Sequence, residues 1–176
     1  MKFPFLTGLC VSSFLLVSES SFAVTFEEIH ADKSLNPENF ARNFAHFKFV
    51  FNAQVQPAEE FIQNQAGDCD DYSILAASEL NARGYHARLV SVRLKNVAHV
   101  ICYVQEAYGF LDYNMRAQGN GIVPCGPDLA SMAEAVAKSF KSSWTSVSEF
   151  TYGDGVKRLV STTLAKDRTR LTASNK

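Results

Sequence analysis

The sequence predicts an α+β fold in which helices come first and an antiparallel sheet follows. Between residues 36 and 84, apolar side chains recur at three- and four-residue spacing, as on the buried face of a helix. From residue 86 the pattern changes to strict alternation, the signature of a strand. Near the end, Gly153-Asp154-Gly155 separates two further strand-like runs, as a hairpin turn would. With 176 residues, 47% of them hydrophobic, the chain holds enough apolar material for one domain with a substantial core.

Asn36 suits the cap of a first helix, with Pro37 at the first helical position, where its missing N–H costs nothing. Phe40, Phe44 and Phe47, with Ala41 beside them, then form one apolar stripe that reads as core packing. Pro57-Ala58-Glu59-Glu60 opens a short second helix carrying Phe61 and Ile62. Asp68 caps a third, whose first turn holds Cys69, Asp70 and Asp71. Its inward face is Tyr72, Leu75, Ala76 and Leu80, with Glu79 at the edge of that stripe, and Arg83-Gly84 closes it.

Three strands are expected at 86–94, 97–104 and 108–113, joined by short links into an antiparallel meander. Residues 118–121 and 124–127 read as loops. Asp128 caps a last helix reaching about Lys141, with Leu129, Met132, Val136 and Phe140 on one side. Residues 148–152 and 156–162 form the expected hairpin, and the tail from Lys166 is polar and expected to fray.

The amino terminus has a different character. Lys2 precedes an uncharged, largely apolar run from Phe3 to Val17, then Ser18-Glu19-Ser20 and Ser21-Phe22-Ala23. Small residues at positions 21 and 23 are those a signal peptidase reads, and the run is too short for an ordinary membrane-spanning helix. Cys10 follows Leu9, which makes it a poor lipid-attachment site. The expected organisation is a signal peptide over 1–23, a domain over 24–165 and a polar tail over 166–176. That makes the protein exported, with no stable membrane insertion once the signal is removed. Its 17 basic and 18 acidic residues include no dense basic block, which argues against a nucleic-acid surface.

After Ala23 three cysteines remain: Cys69, Cys102 and Cys125. An odd number in an oxidising compartment leaves at least one thiol unpaired within a single chain. A bridge between Cys102 and Cys125 would leave Cys69 free. A cysteine attacks as a thiolate, and a helix start favours that anion through its unpaired N–H groups and the helix dipole. Gly67 lets substrate backbone approach closely. The same N–H groups suit an oxyanion in acyl transfer.

Such a nucleophile needs a base, and the base needs an orienting partner. His99 falls on the second expected strand and Asp112 on the third. A four-residue loop over 104–107 pairs Tyr103 with Tyr108, Ile101 with Phe110, and His99 with Asp112, all on one sheet face. His30, His46 and His86 lack a partner pattern and receive no role.

Gly67-Asp68-Cys69-Asp70-Asp71-Tyr72, the helix end Arg83-Gly84-Tyr85, the strand Ala87-Arg88-Leu89-Val90, Ala98-His99-Val100 and Leu111-Asp112 together resemble the core of the transglutaminase-like superfamily. The acidic pair after the cysteine is most similar to the bacterial transglutaminase-like cysteine peptidases. The resemblance covers about Pro57 to Asn114. It implies a papain-like α+β fold, a Cys69-His99-Asp112 triad, and an exported bacterial enzyme of the periplasm or the medium. Some members hold calcium through acids flanking the cysteine, which would be Asp68, Asp70 and Asp71 here, with Asp70 where Glu is common. No cofactor is otherwise required. For the upstream oxyanion partner, often Gln or Trp in relatives, Gln54 and Gln56 are the candidates.

The resulting expectation is a cysteine hydrolase, a peptidase acting on a protein or peptide substrate through a thioester acyl-enzyme. Two alternatives stand beside it. One is a transglutaminase or deamidase acting on glutamine side chains. The other is a binding module that keeps the fold without turnover.

Overall fold

In the computed structural model, residues 24–165 are described. The expected signal peptide and polar tail therefore lie outside the described residues. Helix α1 (Phe26–Ala31) starts at a capping box between Thr25 and Glu28. At six residues it is too short to show apolar periodicity in sequence. In α2 (Pro37–Asn43) the Asn36 side chain accepts the Asn39 N–H at 2.9 Å, as the cap residue requires.

The phenylalanine stripe is core. Phe44 lies 4.7 Å from Phe40, stacks on Phe61 of α3 (Ala58–Asn64) at 5.5 Å, and meets Tyr72 edge-on at 5.5 Å. Burial of these rings fixes α2 and α3 against the helix that carries Tyr72, α4 (Cys69–Asn81).

Two short strands escape the sequence pattern but set the site. β1 (Lys48–Phe49) and β2 (Ala66–Gly67) pair in parallel. The Val50 N–H reaches the Gly67 carbonyl at 2.8 Å, so the chain after β1 is tied beside the start of α4.

The sheet comprises β3 (Ala87–Leu94), β4 (Ala98–Val104), β5 (Gly109–Leu111), β6 (Ile122–Pro124), β7 (Trp144–Gly153) and β8 (Val156–Leu164). Their order is β6-β5-β4-β3-β7-β8, with every pairing antiparallel. Leu89, Val100, Cys102, Val104 and Leu111 share a core with α1–α4. Val90, Val92, Ile101, Tyr103 and Phe110 share the other with α5 (Leu129–Ser139). Alternation along β3 and β4 thus feeds two cores, one on each face.

The register between β4 and β5 differs from expectation by two residues. Tyr103 pairs with Phe110 and Cys102 with Leu111. The turn is a 3-10 helix over Gln105–Ala107 followed by Tyr108 in the left-handed region, φ 47°. Tyr108 therefore belongs to the turn, not to the strand. β5 also ends early, because the Asp112 side chain accepts the Asn114 N–H and caps a 3-10 turn over Tyr113–Met115.

The Cys102–Cys125 bridge is not formed. Cys102 is buried in the core on the α1–α4 face and Cys125 packs against the core on the α5 face, so the sheet separates them. Cys69, Cys102 and Cys125 are all free thiols. Among the described residues, no helix is long and apolar enough to cross a membrane.

Candidate active site

The start of α4 is held by a dense set of caps. Asp68 accepts the Asp70 N–H at 3.2 Å and the Asp71 N–H, while Asp71 accepts the Asp68 N–H at 3.1 Å. Asp71 is clamped further by Gln56, whose backbone N–H and side-chain amide each donate at 2.7 Å. The Asn52 N–H donates to the second oxygen of Asp68 at 3.1 Å. Gly67 is required here, since a Cβ would lie 2.5 Å from Asp71 Oδ2 and 2.6 Å from the Phe61 ring. Cys69 then emerges half-buried at the first helical position, and the Val100 N–H of β4 donates to its sulfur at 3.5 Å.

His99 and Asp112 meet despite the shifted register. His99 Nε2 lies 2.9 Å from Asp112 Oδ1, with the residues 3% and 1% exposed. A shift of two residues keeps side chains on the same face, and this is why the contact survives. Asp112 is anchored in turn by the Asn114 N–H at 2.8 Å. The Phe140 ring packs on the imidazole at 4.8 Å. With Nε2 turned to Asp112, Nδ1 is the ring nitrogen left for the Cys69 thiol.

The electrostatics of this group are strongly biased. Burial pulls the His99 pKa down, but hydrogen bonds to Asp112 and Cys69, together with their charges, outweigh it and raise the pKa to about 9. The imidazole is then a cation at neutral pH, beside a thiol at a helix N-terminus. The other two thiols lack such a neighbour. Burial pushes the Cys102 thiol far up, and burial plus the Asp128 charge pushes Cys125 up to about 11. Of the three, only Cys69 has a base in contact.

Asp68, Asp70 and Asp71 bring ligand oxygens within 4.8 Å of one another, the trio expected for calcium. Both oxygens of Asp68 and both of Asp71 already accept N–H groups. Asp70 Oδ1 is the buried oxygen of the trio without a donor. Burial, with a hydrogen bond and charge from Asp68, pushes the Asp70 carboxyl up to about 7. Calcium takes about six to eight oxygens. The trio is arranged first as a capping box, so a cation here would rest chiefly on Asp70, and no step below is routed through one.

Cys69 and His99 line a cleft of about 440 Å³. Its walls also carry Phe49, Phe51, Arg93, Asn114, Phe140 and Lys157. None of these was singled out as a site residue from sequence. Gln54 and Gln56 do not line the cleft, and the Gln56 amide is occupied by Asp71 and the Ala66 carbonyl. Neither fills the oxyanion role expected of it. His30 and His86 do have carboxylate partners, Glu79 at 3.3 Å and Glu106 at 2.6 Å, both away from the cleft.

Residues 32–115 match the family model of the transglutaminase-like superfamily. The chain carries a transglutaminase-like domain. That match spans Cys69, His99 and Asp112 together with the helix start and strands that hold them. This superfamily includes cysteine peptidases and transglutaminases, and its members are generally enzymes. A search of curated proteins found no match.

Proposed function

We propose that the chain is an exported cysteine hydrolase, a peptidase acting on protein through Cys69, His99 and Asp112, akin to the bacterial transglutaminase-like peptidases. The observation that carries this reading is the position of His99, between the Asp112 carboxylate at 2.9 Å and the Cys69 thiol. Export rests on the leader-like pattern over 1–23.

In this mechanism the Cys69 proton resides on His99, giving a thiolate beside an imidazolium that Asp112 orients and stabilises. The thiolate attacks the substrate carbonyl, forming a C–S bond and an oxyanion. The Cys69 N–H, which the Asp68 caps do not use, serves as the donor to that oxygen in this reading. His99 then gives its proton to the departing amine, and the C–N bond breaks to leave a thioester. Water, deprotonated by His99, attacks the thioester, and Cys69 leaves as the thiolate.

Iodoacetamide labelling followed by peptide mass spectrometry tests the reading. At pH 7 a free thiol is only about 3% ionised, so a fully activated Cys69 reacts up to about thirtyfold faster. His99→Ala is expected to lose most of that advantage at Cys69, and equal rates in the two proteins would remove the basis for the proposal. Incubation with a glutamine-containing protein and a labelled amine then separates the chemistries. Hydrolysis yields new chain termini, whereas acyl transfer yields an amine adduct.

A further inference from the structure

Two cations line the cleft beside Cys69 without a salt bridge of their own among the described residues. Three arginines elsewhere in the fold are committed. Arg83 binds Glu79 at 2.9 Å, Arg88 binds Glu149 at 3.1 Å, and Arg116 donates to the Phe44, Phe47 and Tyr113 carbonyls. Arg93 and Lys157 differ. Among the described residues neither makes a salt bridge, both are exposed, and both line the cleft. Lys157 Nζ lies 3.9 Å over the Phe150 ring, a contact that positions it without neutralising it.

Their location relative to the reacting group follows from the sheet. Val92 pairs with His99, and the next pair along is Arg93 with Ala98. Arg93 therefore sits one step from the base, and Lys157 reaches the same space from β8. The cleft lining also presents Phe49 and Phe51, 60% and 76% exposed, on the segment tied down by β1. Two solvent-facing phenylalanines are unlike the fully buried aromatic stripe a few residues earlier. Asp68 and Asp70 line the same cleft. Asp68 is engaged by the Asn52 and Asp70 N–H groups, and neither acid makes a salt bridge with Arg93 or Lys157. Burial draws the Lys157 pKa down, with Asp70 and Cys69 opposing and Arg93 adding to it, so an added carboxylate is favoured there.

We infer that Arg93 and Lys157 form an acid-binding subsite, so that the protein prefers substrates with Asp or Glu within two residues of the reacting carbonyl, next to a bulky apolar residue held by Phe49 and Phe51. This rests on the proposed reading of Cys69 as the nucleophile. Partly exposed ion pairs of this kind are individually weak, so two together yield about a twofold to thirtyfold preference.

The test uses peptidyl vinyl sulfones of one apolar sequence with Glu, Gln or Lys scanned over the adjacent positions. The rate of Cys69 modification is read by mass spectrometry at pH 6.5. Each rate is divided by the same protein's iodoacetamide rate, so that thiol activation and substrate recognition are measured apart. The expected order is Glu, then Gln, then Lys, converging in 0.5 M salt. In the Arg93→Glu/Lys157→Glu variant the order should reverse, with Lys fastest. Equal normalised rates for Glu and Gln, or a Glu preference that persists in the reversed variant, would overturn the inference. A low iodoacetamide rate in wild type would instead count against Cys69 activation, leaving the probe order still readable.

Discussion

The Asp112→Asn substitution isolates what the carboxylate does for His99. The asparagine carbonyl oxygen keeps the acceptor for the Asn114 N–H, so the capped turn and the imidazole position are retained while the charge is lost. The His99 pKa stands at about 9 against an ordinary 6.5, a differential worth about 3 kcal/mol. Burial acts against that shift, so removing the Asp112 contribution should bring the pKa down. The imidazole titration can be followed by NMR from pH 5.5 to 10, with His99→Gln identifying its signal among the four histidines. Because the folded pKa is raised, the stabilisation by His99 is complete below about 6.5 and lost as pH climbs through about 9. The melting-temperature gap between wild type and Asp112→Asn should therefore be widest at pH 6 and shrink by pH 9.5. Identical midpoints for His99 in the two proteins would refute the reasoning.

Other perturbations probe the surroundings. Asp70 is costly to ionise in the folded chain, so wild type should lose stability as pH rises from about 4 to about 7; Asp70→Asn should abolish that slope, and after solvent screening should be more stable by about 1 kcal/mol at pH 8 in urea melts. Arg83→Ala strips the guanidinium from Glu79, which is 3% exposed, and from the Ile29 and Asp32 carbonyls. It should cost about 3–5 kcal/mol by denaturant titration while the folded protein keeps its Cys69 labelling rate. Gly67→Ala forces a Cβ into Asp71 and Phe61, and should cost about 2 kcal/mol or more and slow Cys69 labelling, because the helix start itself must move.

The residues bearing the proposed chemistry were legible because each carries a local signal. Cys69 follows a capping residue, and His99 and Asp112 sit at odd-numbered steps along adjacent strands that any even slip preserves. The register itself was not legible. It depends on Tyr108 adopting a left-handed conformation that a tyrosine does not advertise. Glu79 was placed at the edge of a helical stripe, yet it is buried, because Arg83 in the turn after α4 and His30 of α1 converge on it. Gln56 looked available as an oxyanion donor, but Asp71 claims its amide. The cleft walls were hidden for a different reason. Phe49 and Phe51 are placed by a two-residue strand pair, and Lys157 by a distant hairpin, and neither leaves a periodic trace.

In the proposed mechanism Cys69, activated by His99, forms a thioester during turnover. Intact-mass and peptide-mapping spectrometry after millisecond mixing with a p-nitrophenyl ester tests it most directly. One acyl group is expected, carried on Cys69, appearing with a burst of p-nitrophenol and decaying with turnover, and slowed in both phases by His99→Ala. Acylation shared with Cys125 or Cys102, or a Cys69 adduct that forms equally fast without His99, would contradict it.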